Sequence, residues 1–210
     1  MHPPFRNIEK RTNNINPPLY IGRTILIRAL NHSDANLVHS WMQKKFFRYY
    51  KPYLKRICST VPLLARRIET LASLDDPFEV EALILHSPSN TPIGLVSLSN
   101  IDRINLKTEV SIAFHRGLGT RCVAETLWVV INHVFFILKF NKVYFYVTSD
   151  NHKILRMIQR YDIMQEGKLH KEMLSEDNEW IDFYRFCILR QDWLQSPLYK
   201  KLKRISESLL

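Results

Sequence analysis

The chain has 210 residues, of which 46% are hydrophobic, and a formal net charge of +10. This length and apolar content predict one domain with a full core and exclude two separately folded domains. The charge by itself is compatible with a nucleic acid partner, an anionic cofactor or a solubility bias, so it excludes none of these.

The longest apolar stretch, residues 123–140, contains Glu125, Asn132, His133 and Lys139. Such polar side chains are costly in lipid, so the stretch predicts a buried helix and not a membrane span. The N-terminal residues lack the apolar run of a signal peptide. We therefore expect a cytoplasmic protein without membrane contacts.

Cys58, Cys122 and Cys187 are odd in number and far apart in the sequence. They fit neither a disulfide framework nor the ligand spacing of a zinc site, so we expect no metal. Buried apolar positions are the expected place for all three.

The chain divides into three parts. Residues 1–18 contain two Pro-Pro pairs and several basic residues with little periodicity, which predicts a poorly ordered basic extension. The folded domain is expected over residues 19–195. Residues 196–210, which include Lys200, Lys201, Lys203 and Arg204, are predicted to form a basic tail.

Hydrophobic periodicity within the domain predicts an α+β fold. A mixed, mostly antiparallel seven-stranded sheet should carry helices on both faces. Strands are predicted near residues 24–29, 79–86, 93–98, 109–114, 143–148, 165–173 and 181–189, and helices near residues 33–46, 60–74, 120–138 and 152–161.

The segment from Phe114 to Thr120 reads Phe-His-Arg-Gly-Leu-Gly-Thr and joins a β-branched strand to a long apolar helix. Gly117 and Gly119 would let main-chain N–H groups approach a ligand closely, and the helix start adds a positive dipole end. These features predict a cradle for a pyrophosphate. A tight strand-to-helix turn without a ligand would use the same residues.

The order of elements around this loop is strand, glycine loop, helix, strand, Asn151, helix. This order resembles the core of the GNAT superfamily of acetyl-CoA-dependent N-acyltransferases. Further similarity to its RimJ/RimL-like branch, and to the spermidine and UDP-amino-sugar acetyltransferases, lies in residues 23–34, 93–112 and 166–193. About 170 residues are covered, and the resemblance implies a GNAT fold.

The resemblance also implies how acetyl-CoA would bind. Main-chain N–H groups of the splayed strand would meet the oxyanion, the glycine loop would hold the pyrophosphate, and Asn151 would bind the pantetheine arm. A helix N-cap is the alternative role for Asn151. The implied cofactor-binding residues are Ser111, Ile112, Ala113, Phe114, Arg116, Gly117, Leu118, Gly119, Thr120, Arg121 and Asn151.

Glu109 is the candidate general base, because it matches the family's Glu at the start of the strand that leads into the loop. A carboxylate there could accept the proton of an acceptor ammonium through water. His115 and His170 are rivals on the basis of pKa. Glu109 could instead pair across the strands with Arg103 or Lys107.

The family's usual proton donors to the CoA thiolate are absent. Ile154 and Ile158 stand where the family has Ser or Tyr, which leaves Tyr161 as a weak substitute. Phe114 replaces a family Gln or Arg, and Asp162-Ile163 replaces Gly-Phe. A degenerate GNAT domain that binds acyl-CoA or a partner without efficient turnover is therefore the alternative hypothesis.

The acceptor is predicted from charge. Basic residues of the first helices, from Lys44 to Arg56 together with Arg66 and Arg67, disfavour a polyamine. A protein N-terminus or an amino sugar suits them better. Aromatic residues among these cations would also suit nucleic acid, but solvated helix faces explain them better, so nucleic acid is not the expected partner. Exposed edge strands of this fold often pair between two copies, so a homodimer is a further possibility.

Overall fold

The computed structural model describes residues 18–75, 77–115, 120–175 and 177–207. Within these residues one sheet of eight strands has the order β1-β2-β3-β4-β5-β6-β8-β7. Neighbouring strands are antiparallel except for the parallel pair β5 and β6. The strands are β1 (Tyr20–Ile21), β2 (Ile25–Ala29), β3 (Val80–His86), β4 (Thr91–Asp102), β5 (Lys107–Phe114), β6 (Lys142–Thr148), β7 (Met164–Leu174) and β8 (Trp180–Leu189).

The predicted α+β fold with a mixed, mostly antiparallel sheet is confirmed, with one strand more than the seven predicted. The additional strand β1 has only two residues, which is too short to show a hydrophobic period. It pairs with β2 through Tyr20 and Ile21.

Helices occur in all four regions where they were predicted, but two of these regions contain more than one type of helix. The segment predicted as one helix over residues 33–46 is a 3₁₀ turn, a short α-helix and a second 3₁₀ helix, and the long apolar helix ends in a π-helical turn. The helices are α1 (Ala35–Met42), α2 (Leu54–Ile57), α3 (Val61–Ser73), α4 (Thr120–Asn132), α5 (His152–Arg160), α6 (Arg190–Trp193) and α7 (Pro197–Glu207), with 3₁₀ helices His32–Asp34 and Lys45–Tyr49 and the π-helix His133–Ile137.

Helices cover both faces of the sheet. On one face α4, the π-helix and α7 pack over the apolar side of the central strands around Phe135 and Trp193. On the other face α1, α3 and the Lys45–Tyr49 helix pack on Leu83 and Leu95. The apolar cluster on this second face reaches Ala113 of β5, whereas Glu109 of β5, Tyr144 of β6 and Arg185 of β8 add polar groups to it.

The segment predicted as a basic tail contains helix α7 over residues 197–207. Leu198 and Leu202 are one helical turn apart, and both are buried in the core against α4. The cations of this helix occupy its other sides, as an amphipathic helix requires. The positive charge of this segment favoured its prediction as a tail, although Leu198 and Leu202 have the spacing of an apolar stripe.

Glu125 on α4 joins the N-terminal hairpin to the core. Its buried carboxylate accepts hydrogen bonds from Tyr20 Oη (2.9 Å), the main-chain N–H of Arg23 (3.0 Å) and of Thr24 (2.9 Å), and the hydroxyl of Thr24. A Cβ on Gly22 would lie 1.9 Å from Glu125 Oε1, so glycine is required where the hairpin passes this carboxylate. A buried carboxylate needs such partners to offset the loss of water.

Candidate active site

The parallel pair β5 and β6 forks after three residue pairs. The last pair is Glu109 and Tyr144. Beyond it β5 continues to pair with β4 as far as Phe114, whereas β6 pairs with β8 as far as Thr148. Among the described strands, none occupies the gap, so the edge of β5 that faces β6 is open along residues 110–114.

The open edge places four of the predicted cofactor-binding residues together: Ser111, Ile112, Ala113 and Phe114. A Cβ on Gly94 of β4 would lie 2.3 Å from the carbonyl oxygen of Ala113, so the backbones of β4 and β5 approach closely here. The side chain of Phe114 packs into the core beneath the sheet. Its replacement of a polar family residue therefore adds packing and removes a hydrogen-bonding group.

The glycine loop itself, Arg116, Gly117, Leu118 and Gly119, lies outside the described residues. Helix α4 begins directly after it at Thr120, and Arg121 in its first turn is exposed. The strand before the loop and the helix after it are thus both where the sequence predicted them.

Asn151 stands at the N-cap position of α5, close to the other arm of the fork. Its side chain makes no capping hydrogen bond, although its main-chain carbonyl accepts from the N–H groups of Ile154 and Leu155. Asn151 therefore occupies the N-cap position, as the alternative predicted, but its side chain does not cap α5. The amide remains available to a ligand that enters between β5 and β6.

Helix α5 offers no proton donor at the family's usual positions. Ile158 is buried against Val147 and Phe186, and Ile154 packs beside it. Tyr161 packs at the margin of the main core. Asp162 adopts a left-handed conformation with φ of 52°, a region that favours glycine but that Asp tolerates better than most residues.

Glu109 lies at the vertex of the fork, at the last rung that β5 shares with β6. Asn100 Nδ2 donates a hydrogen bond of 3.0 Å to its Oε2. Burial raises the pKa of Glu109 above the ordinary value for a glutamate, against the opposing effects of Asn100 and Lys51. The ion pair considered with Lys107 is not formed, because Lys107 binds Asp102 at 3.7 Å.

The two rival histidines lie apart from Glu109. His115 stacks on Trp41, with ring centroids 5.2 Å apart, and against Phe46. His170 is exposed on β7, which is separated from β5 by β6 and β8. His115 is held by aromatic packing, and His170 is exposed to solvent. Glu109 is the carboxylate at the fork.

A ring of four alternating charges lies beside Glu109. Lys51 Nζ contacts the carboxylates of Glu79 and Glu81, and Arg67 donates to Glu81 at 2.6 Å and to Glu79 at 2.5 Å. Burial opposes ionisation of Glu79, but Lys51 and Arg67 outweigh it and keep its pKa below the ordinary value. The ring is formally neutral, so these two cations of the basic segment are compensated.

Two tyrosines and an arginine extend the polar face across β6 and β8. Arg185 lies over the ring of Tyr144, with its Cζ 4.2 Å from the ring centroid, and 5.7 Å from that of Tyr146. Its Nε is 2.9 Å from Glu166, which also pairs with Lys142. This group was not predicted from the sequence, although Lys142, Tyr144 and Tyr146 alternate along β6 as one polar face requires.

The segment before α3 covers this face. Arg48 pairs with Asp150 at the end of β6. Further along, Tyr53 Oη donates to the carbonyl of Glu172 at 3.4 Å, and Arg56 donates to the carbonyl of Leu174 at 3.0 Å. This segment therefore lies over the polar face of the sheet that carries Glu109 and the tyrosines, and we expect the acceptor cleft between the two.

The fork, the helix start on one arm, Asn151 on the other and Glu109 at the vertex agree with the site that the resemblance to the GNAT superfamily implies. The chain belongs to the GNAT acetyltransferase family, because the family model described as "Acetyltransferase (GNAT) domain" matches residues 24–163. It is thus an acyl-CoA-dependent N-acetyltransferase with acetyl-CoA as its donor. Membership of the RimJ/RimL-like branch stays a prediction.

Solved structures support the same fold. Spermidine N-acetyltransferase of Vibrio cholerae in complex with CoA and spermine is 22% identical with a TM-score of 0.70, covering 82% of this chain and 99% of that chain. The same enzyme with manganese ions is 22% identical with a TM-score of 0.66, covering 82% and 96%. Another protein, described as an acetyltransferase without a named substrate, is 21% identical with a TM-score of 0.63, covering 91% and 95%.

At these identities the solved structures establish the fold alone. No curated protein sequence matches the chain. Within the described part of the chain, His, Cys, Asp and Glu side chains form no group of three or more suited to a metal ion. Over the same residues, every helix is too short or too polar to cross a membrane.

Proposed function

We propose that this protein acetylates a primary amine by direct transfer from acetyl-CoA, with Glu109 as the general base. The observation that supports this proposal is the fork between β5 and β6, whose vertex holds Glu109 and whose arms carry the open edge of β5 and the unused amide of Asn151. No covalent enzyme intermediate is required.

The residues present fit acetyl-CoA as donor, which supplies the activated acetyl group when bound. Main-chain N–H groups on the open edge of β5 would polarise the thioester oxygen. Asn151 would bind the pantetheine arm, and the loop from Arg116 to Gly119 with the start of α4 would bind the pyrophosphate. Glu109 would accept the ammonium proton of the acceptor, directly or through water.

The raised pKa of Glu109 suits this role. A carboxylate whose pKa lies above its ordinary value is a stronger base once ionised, and burial is the cause here. Tyr144 faces Glu109 across the rung, so the base borders an aromatic ring.

The acceptor is proposed to be an amino sugar or a protein N-terminus in preference to a polyamine. The reason differs from the one that the sequence suggested, because Lys51, Arg67 and Arg48 are compensated by Glu79, Glu81 and Asp150. Excess positive charge at the cleft resides instead on Lys142 and Arg185, which share the single carboxylate of Glu166. This positive charge would repel a polycation. The expected acceptor therefore differs from the spermine found in the structural neighbour from Vibrio cholerae.

A second candidate is a GNAT domain that binds acyl-CoA without efficient turnover. It is favoured by Ile154 and Ile158, whose side chains pack in the core and cannot protonate a thiolate. Protonation by solvent would then limit the rate without abolishing transfer.

Isothermal titration of acetyl-CoA into the wild type and into Gly119→Trp, followed by an acetyl-transfer assay over a panel of amines, tests both candidates. Binding that is lost in Gly119→Trp, together with transfer by the wild type, supports the enzyme. Binding and thermal stabilisation by CoA without transfer to any amine would favour the second candidate. If neither protein binds acetyl-CoA, the proposed site is wrong.

A further inference from the structure

The tyrosine surface next to Glu109 already holds a cation. The guanidinium of Arg185 lies over Tyr144 and near Tyr146, and it is half-buried beside Glu166. Cross-strand register places Arg185 opposite Tyr146 and Glu109 opposite Tyr144, so both charged groups lie on one face of the sheet. The ring faces that would attract a second positive group of an acceptor are therefore occupied.

Charge at this position is not balanced. Lys142 and Arg185 both pair with Glu166, so the trio has one positive charge in excess. The ring of Lys51, Arg67, Glu79 and Glu81 on the other side of Glu109 is neutral. The excess cation and the carboxylate of Glu109 are thus oppositely charged neighbours, and the carboxylate of Glu172 lies near Tyr146 as well.

We infer that Arg185, assisted by Lys142, is a specificity-determining residue that binds an anionic group of the acceptor, so that the preferred acceptor carries a carboxylate or phosphate near its primary amine. This inference rests on the proposed function. The amine would lie at Glu109 and the anion beside the guanidinium that covers Tyr144. These places are about one strand spacing, roughly 5 Å, apart, which corresponds to an anion a few bonds from the amine.

The chemistry of the guanidinium suits this role. Its planar fork can bind a carboxylate or phosphate through two parallel hydrogen bonds while Nε remains beside Glu166. Stacking on Tyr144 holds the plane of the fork in place and removes part of its water. A polyamine has no group for this fork and would bring like charges together.

The test compares matched acceptors with and without an anion: O-phosphoethanolamine against ethanolamine, β-alanine against propylamine, and spermidine as the polycation. The variants are Arg185→Gln, Arg185→Lys and Glu166→Gln. Lys168→Gln is the matched control, because Lys168 also pairs with a carboxylate, Asp182, and contacts a tyrosine, Tyr184, on the opposite face of the same hairpin.

We expect the wild type to prefer the anionic member of each pair by about tenfold in kcat/KM, a ratio typical of one charge-assisted contact. Arg185→Gln should remove this preference through KM, and Arg185→Lys should restore part of it. Glu166→Gln should increase it, since both cations are released. Lys168→Gln should keep the wild-type ratio, and the phosphate and carboxylate pairs show which anion is preferred.

A preference that persists in folded Arg185→Gln, or a wild type that prefers spermidine, would overturn the inference. Titration of O-phosphoethanolamine into the CoA complex provides a readout that needs no turnover. If no amine is acetylated, the proposed function fails, and the titration still decides the role of Arg185: binding lost in Arg185→Gln supports it, and binding retained in that variant refutes it.

Discussion

Glu109 on β5 and Tyr144 on β6 face each other at the last rung that the two strands share. Beyond this rung the strands separate, so a carboxylate with a raised pKa and an aromatic ring border the opening together. The separation of β5 from β6 thus fixes the positions of both Glu109, the proposed base, and Tyr144, which borders the proposed acceptor site.

Glu109→Gln should lower kcat by roughly 10²-fold or more, as expected for loss of a general base. The base must be ionised, so the activity of the wild type should rise with pH through the pKa of Glu109, which burial places above its ordinary value. This rise should be missing from the pH profile of the variant. Glu69→Gln, on the exposed side of α3, is the control. Unchanged kcat and an unchanged profile in Glu109→Gln would remove this residue from the mechanism.

Asn151→Ala should weaken acetyl-CoA binding by about tenfold, the value of one lost hydrogen bond, with little change in Tm, because its side chain does not cap α5. Asn31→Ala is the matched comparison. Asn31 Oδ1 accepts from the N–H of Ser33 in a capping box at the first 3₁₀ helix, so its loss should cost about 1 kcal/mol of stability and leave cofactor binding unchanged. Titration calorimetry and thermal unfolding measure the two effects, and the reverse pattern would contradict the assignment of Asn151.

Glu125→Ala should destabilise the protein by about 3 kcal/mol, because it leaves Tyr20 and the N–H groups of Arg23 and Thr24 without their acceptor. Gly22→Ala should also destabilise it, since its Cβ would overlap Glu125. At Gly167 a Cβ meets nothing within 4 Å, so Gly167→Ala is the control. Urea unfolding measures all three, and equal effects of the two glycine substitutions would argue against the close approach at Gly22.

His133 should make stability depend on pH. Burial lowers its pKa from 6.5 to about 4, so the unfolded chain binds a proton between these values that the folded protein does not. Stability should therefore fall as the pH decreases from about 6.5 to about 4, by roughly 3 kcal/mol at most. The difference in unfolding free energy between wild type and His133→Gln, measured at pH 7 and pH 4.5, tests this. A difference that does not change with pH would contradict it.

Local patterns were sufficient for the elements of the fold. The alternation in β3 to β8 and the spacing of apolar residues in α3, α4 and α5 predict these elements with small errors at their ends. Two elements, β1 and α7, were not predicted, each for a different reason. Strand β1 is too short to carry a period, and the cations of α7 concealed the stripe formed by Leu198 and Leu202.

The candidate site was accessible from the sequence only where a local motif marks it. The strand that leads into the glycine loop contains Glu109 and residues 111–114, and Asn151 follows the next strand along the chain. Their order in the sequence therefore suffices to find them. Arg185 and Glu166 are distant from the loop in sequence, and only the pairing of β6 with β8 and of β8 with β7 brings them over Tyr144.

By itself, the sequence determined the order of the elements through short-range periodicity, and it indicated the family and the donor through its resemblance to the GNAT superfamily around a contiguous motif. Tertiary structure decided which charges remain uncompensated in the cleft. From the sequence, Lys51 and Arg67 were counted as uncompensated cations. In the fold they pair with Glu79 and Glu81 at the start of β3. Compensation of charge depends on distances of a few ångströms between remote residues, and only the folded chain fixes these distances.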